Sequence, residues 1–197
     1  MLEIIQAATD GQIEAARELF REYEAWLGLD LCFQGFEAEL ADLPGKYAMP
    51  DGRLFLAYAD ESLAGCIALR KLEDSVCEMK RLFVRDGFRG ERIGVQLIER
   101  LIAEAKAIGY SRMRLDTYPA KMGKAVKLYE SHGFRPIEPY YDNPYDGVIL
   151  WSCHYNLHPA AKIAAVCSRR WWVHVEITLN PWKYLPVSEG VGRKDDR

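Results

Sequence analysis

The sequence contains no closely spaced cysteine pair, which argues against two common means of stabilising a small domain, disulfide bonds and a structural zinc ion. Its cysteines are scattered, without any Cys-x-x-Cys motif, at Cys32, Cys66, Cys77, Cys153 and Cys167. An odd, dispersed set of this kind favours neither a disulfide framework nor a zinc site. We therefore predict that the protein has no metal centre.

Long apolar runs and clusters of like charge are also missing. No window approaches the ~20 apolar residues that cross a bilayer, and the start of the chain lacks the basic, then apolar pattern of a signal peptide. No basic cluster is interleaved with aromatic residues, as nucleic-acid-binding surfaces require. These absences predict a cytoplasmic protein whose partners are neither membranes nor nucleic acids.

The composition that remains is that of a globular domain with an appendage. The chain has 197 residues, of which 49% are apolar and 28% are charged, enough for a single sizeable core. The net charge is −3, but residues 152–197 carry +3 and residues 1–151 carry −6. An acidic main part weakly suits a cationic substrate.

Periodicity predicts a mixed α/β unit over residues 1–155. An apolar run at 2–8 indicates a strand, and Thr9 with Gln12 has the form of a capping box that opens a helix ending at Gly28. Continuing in this way, the pattern predicts the order β-α-α-β-β-β-α-β-α-β-β. The passage from the strand at 77–84 to that at 113–117 is predicted to be a parallel crossover.

Residues 156–197 have a different character and are predicted to form a C-terminal extension of unknown role. A short helix fits 159–166, and apolar alternation predicts a strand at 171–179. The polar last dozen residues have the composition of a frayed end. An edge strand and a homodimer interface are both open interpretations of the alternating stripe.

The first candidate for a ligand-binding site is the turn from Val84 to Gly94, which follows a predicted strand and precedes a predicted amphipathic helix. Unpaired N–H groups and the helix dipole favour an anion at such a helix N-terminus. Gly90 and Gly94 have no side chains that would hold a phosphate away, and Arg89 and Arg92 add charge-assisted hydrogen bonds. The turn therefore predicts a diphosphate ligand, although a plain basic turn is the alternative when it is taken alone.

A dinucleotide site is the sharper competitor, because Asp116 ends the next strand about where a ribose ligand would lie. That fingerprint requires Gly-x-Gly-x-x-Gly. Gly87, Gly90 and Gly94 are instead spaced three and four apart. The spacing excludes this interpretation.

Three segments in order resemble the GNAT family of N-acetyltransferases. Arg89–Gly94 resembles its Arg/Gln-x-x-Gly-x-Gly/Ala motif, the strand 77–84 precedes it, and 125–134 resembles its Ala-x-x-Leu-Tyr-x-x-x-Gly-Phe segment. The resemblance covers about residues 2–155, and the strings at 113–117 and 140–144 are similar to a bacterial subgroup of acetyltransferases. Arg92 replaces the first glycine of the motif, and Met122 stands where many members carry a cofactor-contacting asparagine.

The resemblance implies an acetyl-CoA-dependent N-acetyltransferase that joins its substrates by direct attack in a ternary complex. It implies Glu78 as general base, since glutamate-dependent histone-acetylating members place it there, and Tyr129 as general acid. A strand N–H at Phe83 or Val84, opened outwards by a β-bulge, is implied as the oxyanion donor. The implied cofactor-binding residues are Leu82, Phe83, Val84, Arg89, Gly90, Glu91, Arg92, Ile93, Gly94 and Tyr129.

Alternatives to each role stay open at the level of sequence. Glu78 also suits an ion pair with Lys80 or Arg81, with a water chain as base, and Tyr129 also suits a core position. The small-molecule or peptide amine is expected to enter a pocket lined by Tyr23, Trp26, Cys32, Phe33, Gln34, Tyr140 and Tyr141. A non-catalytic acyl-CoA-binding or regulatory module is the alternative function.

Overall fold

The structure described here is a computed structural model, and it describes residues 1–155. The predicted extension, with its helix at 159–166, its strand at 171–179 and its homodimer interface, lies outside the described residues. Among residues 1–155, no helix combines the length and the apolar character needed to cross a membrane.

Seven strands and four α-helices make up the described part of the chain, in the predicted order. The strands are β1 (Leu2–Gln6), β2 (Arg53–Ala59), β3 (Ser62–Glu73), β4 (Val76–Val84), β5 (Arg112–Thr117), β6 (Arg135–Ile137) and β7 (Ile149–His154). The helices are α1 (Asp10–Leu27), α2 (Phe36–Ala41), α3 (Ile93–Ile108) and α4 (Pro119–Ser131). The Thr9–Gln12 capping box opens α1 as predicted, and Gly28 closes it in a left-handed conformation.

The strands form one mixed sheet in the order β1-β2-β3-β4-β5-β7-β6. Every neighbouring pair in that order is antiparallel except β4 and β5, which are parallel and joined through α3. The predicted mixed, mostly antiparallel α/β fold is confirmed.

Helices cover both faces of the sheet because alternate strand residues point to opposite sides. On one face Leu54, Leu56 and Cys66 pack with α1 and α2. On the other face Phe55, Ile67 and Leu69 pack with α3 and the end of α4.

The centre of the sheet opens where β4 and β5 separate. These strands pair only from Val76–Glu78 to Arg112–Arg114 and then diverge. On the opposite edge of β4, the pairing with β3 shifts register, so that Arg81 and Leu82 both face Ile67. Arg81 has φ +58°, as expected within a bulge. The second half of β4 is therefore turned away from β5, and a gap opens towards α4.

Helix α4 begins five residues earlier than the pattern of Lys124–His132 predicts. Pro119 occupies its first turn, where a missing N–H costs nothing. Met122 has non-helical angles (φ −111°, ψ 25°), so the helix is kinked there. The early start adds Lys121 to the helix, three residues before Lys124.

Candidate active site

A basic cleft lies between the end of β4, the N-terminus of α3 and the first half of α4. It has a volume of about 860 Å³. Its charged lining residues are all cationic: Arg89, Arg92, Lys121, Lys124 and Lys127. No carboxylate lines this cleft within the described chain. A polyanion is the ligand that such a surface attracts.

The predicted cofactor residues gather mainly in the basic cleft. Those that line it are Leu82, Phe83, Val84, Arg89, Gly90, Arg92, Ile93 and Gly94. Glu91 does not line it, and Tyr129 lies in an adjoining cavity. The three lysines were not predicted, although their regular spacing of three along a helix could have indicated a basic face.

Arg89 is held in place by contacts on both of its sides. Its Nε donates to the Val84 carbonyl at 3.1 Å, and its Nη1 lies 2.7 Å from Asp86. The guanidinium also stacks on Trp26, 4.9 Å from the ring centroid. Trp26, predicted to line the amine pocket, therefore lines the basic cleft instead.

Arg92 adopts a left-handed conformation (φ +62°, ψ 15°) directly before α3. Glycine adopts this conformation freely, whereas a residue with a Cβ is strained there by about 1–2 kcal/mol. The motif of the GNAT family has its first glycine at this position. The chain keeps the left-handed conformation that suits glycine, although the residue is an arginine.

Replacing Arg92 by glycine is expected to relieve this strain. We expect Arg92→Gly to have a free energy of unfolding about 1 kcal/mol above that of Arg92→Ala, because alanine keeps the Cβ while both lose the guanidinium. Urea denaturation of the two variants measures the difference. Equal stability would show that the left-handed conformation stores no strain.

Tyr129 lies at the bottom of the gap between β4 and β5. A small cavity there, the splay cavity, is lined by Met79, Leu82, Leu115 and Asp116 among others, and by Tyr129 itself. The Tyr129 side chain is nearly inaccessible (2% exposed) and its ring packs against Phe134. Within the described chain its hydroxyl makes no hydrogen bond, and burial raises its pKa well above the usual range. Tyr129 is therefore a protonated donor without a partner.

Glu78 is fully buried (0% exposed) with both carboxylate oxygens engaged. Arg70 Nε donates to Oε2 at 2.5 Å, and the Tyr140 hydroxyl donates to Oε1 at 2.7 Å. The ion pair is thus made with Arg70, not with Lys80 or Arg81. Glu78 lines neither the basic cleft nor the splay cavity.

A second small cavity, the side cavity, lies between the α1–α2 connection and the loop at 138–148. It is lined by three of the predicted pocket residues, Tyr23, Phe33 and Gln34. Cys32 is exposed and outside it. Tyr140 and Tyr141 also do not line it; their hydroxyls bind Glu78 and Asp116.

Asp116 was considered in the sequence only as a ribose ligand, yet it lines both small cavities. Its Oδ2 accepts from Lys80 at 3.0 Å, from Gln34 Nε2 at 3.3 Å and from the Tyr141 hydroxyl. Burial alone would raise the pKa of Asp116. The charge of Lys80 and the hydrogen bond from Tyr141 outweigh this effect and lower the pKa to about 2. The carboxylate therefore stays ionised at neutral pH.

A second buried ion pair lies beside this site. Arg81 donates to both oxygens of Glu39, at 2.9 and 3.2 Å, and both side chains are 2% exposed. Tyr47 and Lys46 complete the hydrogen bonding of the carboxylate. The pair connects α2 to the bulge in β4. No local pattern in the sequence predicts it, because the two residues are 42 positions apart.

Cys77, the neighbour of Glu78 in the chain, is fully buried. Its Sγ contacts the Arg112 carbonyl at 3.6 Å. Burial raises the pKa of its thiol well above the usual range, which disfavours the nucleophilic thiolate.

Comparison with known proteins decides the family. A family model described as Acetyltransferase (GNAT) family matches residues 13–134. The chain belongs to this family. An uncharacterised N-acetyltransferase of Dictyostelium discoideum is 35% identical, with 68% of this chain and 89% of that protein covered. An uncharacterised N-acetyltransferase of Schizosaccharomyces pombe is 41% identical, covering 66% of this chain and 81% of that protein.

Solved structures share the fold of this GNAT protein. A GNAT-family acetyltransferase of Staphylococcus aureus has a TM-score of 0.66 at 22% identity, covering 79% of this chain and 100% of its own. The PaiA N-acetyltransferase of Thermoplasma acidophilum, in complex with coenzyme A, has a TM-score of 0.62 at 19% identity, covering 79% and 99%. At these identities the likeness concerns the fold alone.

Proposed function

We propose that this protein transfers an acetyl group from acetyl-CoA to an amine by direct attack in a ternary complex. The observation that carries the proposal is the basic cleft, with five cationic side chains and no carboxylate among its lining residues. Coenzyme A carries a pyrophosphate and a 3′-phosphate, so its charge complements the cleft. A solved fold relative was crystallised with coenzyme A, which agrees with this assignment.

The residues around the cleft also offer separate positions for the phosphate groups of this ligand. The N-terminus of α3 would receive the pyrophosphate, with Arg89 and Arg92 beside it. A Cβ placed on Gly90 would meet no atom within 4 Å, so the space in front of it is open. Lys121, Lys124 and Lys127 would serve the remaining phosphate oxygens.

The gap between β4 and β5 supplies the groups that the reaction needs. Arg85 N–H donates to the Ala64 carbonyl of β3, and strand N–H groups alternate in direction. The Val84 N–H is therefore directed to the other edge of β4, which favours Val84 over Phe83 as the oxyanion donor. Tyr129, whose hydroxyl has no hydrogen-bond partner among residues 1–155, would protonate the departing thiolate.

Glu78 would act as base through Tyr140, since both of its oxygens are already bound. Tyr140 lines neither small cavity, so a proton leaving the amine would reach its hydroxyl through a water molecule as that hydroxyl gives its own proton to Glu78. Arg70 would hold the carboxylate in position. The alternative is a purely structural Glu78 with a water chain as base, under which Tyr140→Phe would leave kcat unchanged.

Ligand-dependent stabilisation tests the cleft. We expect CoA and acetyl-CoA, but not NAD, to raise the melting temperature, and the increase should grow with ligand concentration relative to Kd. Lys124→Glu should weaken CoA binding about tenfold, because it reverses a charge on the cleft wall. Lys71→Glu, a matched change of a lysine paired with Asp74 away from the cleft, should leave CoA binding unchanged. Equal weakening in both variants would contradict the assignment of the cleft.

Thiol release in the presence of amines then separates catalysis from binding. Release that depends on both acetyl-CoA and an amine is the expected result. Stabilisation by CoA without thiol release for any amine would favour the alternative, a non-catalytic acyl-CoA-binding or regulatory module.

A further inference from the structure

Two hydrogen-bond acceptors at the side cavity lack donors. The Oε1 atom of Gln34 is buried and has no partner within the described chain. On Asp116, all three hydrogen bonds from the described residues go to Oδ2, which leaves Oδ1 free to accept, and the side chain is 16% exposed. Buried polar atoms in native proteins are almost always paired, so the unpaired Oε1 of Gln34 requires an explanation, and Oδ1 of Asp116 adds an accessible acceptor on the same pair of residues.

The two oxygens belong to one hydrogen-bonded unit, because Gln34 Nε2 donates to Asp116 Oδ2 at 3.3 Å. This bond fixes the orientation of the amide, so the carbonyl end of Gln34 is the acceptor. Both residues line the side cavity. Asp116 also lines the splay cavity beside Tyr129, so the pair lies where an amine would meet the proposed acid.

The remaining lining of the side cavity is mostly apolar or aromatic. Nine of these residues are apolar or aromatic, among them Leu27, Phe33, Met122 and Tyr145. Its one cationic member within the described chain is Arg81, whose guanidinium is held by both oxygens of Glu39. The cavity thus offers acceptor oxygens for a cation but no free cation for a carboxylate.

We infer that Asp116 and Gln34 form the binding site for the amino group of the acceptor, which is a primary amine carrying an apolar or aromatic group and no carboxylate. The ammonium form brings three N–H donors, and Asp116 Oδ1 and Gln34 Oε1 accept two of them. Asp116 acts as a binding residue, distinct from the proposed base. This inference rests on the proposed function, since it names the acceptor for the same site.

The loop at 138–148 must move for such an amine to enter. The side cavity has a volume of about 30 Å³, which is about the share of one water molecule in the liquid. The loop reaches the opposite side through Tyr145, whose hydroxyl donates to the Asp30 carbonyl at 3.0 Å and whose ring packs against Phe33. None of the three residues in these contacts belongs to a strand, so the loop can open without breaking strand pairing.

Calorimetric binding of 2-phenylethylamine tests the inference independently of turnover. With CoA present, we expect the wild type to bind 2-phenylethylamine at least tenfold more tightly than L-phenylalanine, which adds a carboxylate to the same skeleton. Asp116→Asn should weaken the binding of 2-phenylethylamine at least 30-fold. Gln34→Met, which removes one acceptor, should weaken it about fivefold, and CoA binding should be unchanged in both variants.

Two variants separate a binding role from a structural one. Asp116→Asn leaves Lys80 without its partner, so Asp116→Asn with Lys80→Met removes the unpaired charge and should restore the melting temperature but not amine binding. Lys80→Met alone should keep amine binding. Recovery of amine binding in the double variant, or absence of 2-phenylethylamine binding to a wild type that binds CoA, would overturn the inference. Failure of CoA to bind would instead count against the proposed function.

Discussion

Replacing Tyr129 by phenylalanine is expected to lower kcat about 100-fold while leaving the dissociation constant of CoA within twofold. The expected loss corresponds to the contribution of a positioned general acid, 10²–10⁴-fold. The ring of Tyr129 packs against Phe134, and phenylalanine keeps that packing. The hydroxyl has no hydrogen-bond partner among residues 1–155, so its removal leaves no described group unpaired. Steady-state kinetics together with calorimetric titration of CoA measure the two quantities separately.

The pH profile provides a control for this assignment. Because burial raises the pKa of Tyr129 above the usual range, the acid stays protonated and its loss should lower the rate at every accessible pH. Tyr140→Phe, a matched loss of a hydroxyl bound to Glu78, should lower kcat by removing the proposed relay to Glu78 and should also leave CoA binding unchanged. Equal loss of kcat and of CoA affinity in Tyr129→Phe would contradict the acid role.

The parts of the molecule that could be predicted from sequence are those specified by local pattern. The Thr9–Gln12 capping box, the helix-stopping Gly28 and the order of strands follow from short-range periodicity and turn chemistry. The turn at 84–94 could be interpreted for the same reason, since a strand, two glycines and a helix N-terminus are contiguous in the chain. Local signals therefore led to the family and to the turn that we propose binds the phosphates.

The acceptor side could not be predicted because its contacts join distant segments. Gln34 meets Asp116 across 82 positions, and Tyr140 meets Glu78 across 62. The periodicity of the sequence does not indicate which carboxylate Tyr140 will contact. Tyr140 and Tyr141 were predicted to line the amine pocket, but they do not line the side cavity, and their hydroxyls bind the carboxylates of Glu78 and Asp116. The separate positions of Glu78 and Asp116 follow from the separation of β4 and β5, which only the folded sheet defines.

The ion pair between Glu39 and Arg81 is expected to give the largest stability effect in the described chain. Glu39→Ala leaves the guanidinium of Arg81 buried without its carboxylate, and loss of one partner of a buried pair costs about 3–5 kcal/mol. Urea denaturation at neutral pH measures this loss. Glu39→Leu combined with Arg81→Met should recover most of it, since removal of both charges leaves no buried ion unpaired. A loss of less than 1 kcal/mol in Glu39→Ala would show that water reaches Arg81.

The same pair predicts how stability falls in acid. Burial alone would raise the pKa of Glu39. The hydrogen bonds and charges of Arg81 and Lys46 outweigh this effect and lower the pKa to about 2. Because the folded pKa lies below the unfolded value of about 4.3, the contribution of Glu39 is fully present above about pH 5 and disappears as the pH falls towards 2. It amounts to about 3 kcal/mol by linkage, in line with the expected mutational loss. Asp116 titrates in the same interval, so Glu39→Ala should flatten the pH dependence of stability only in part, and Glu39→Ala with Asp116→Asn and Lys80→Met should flatten it further.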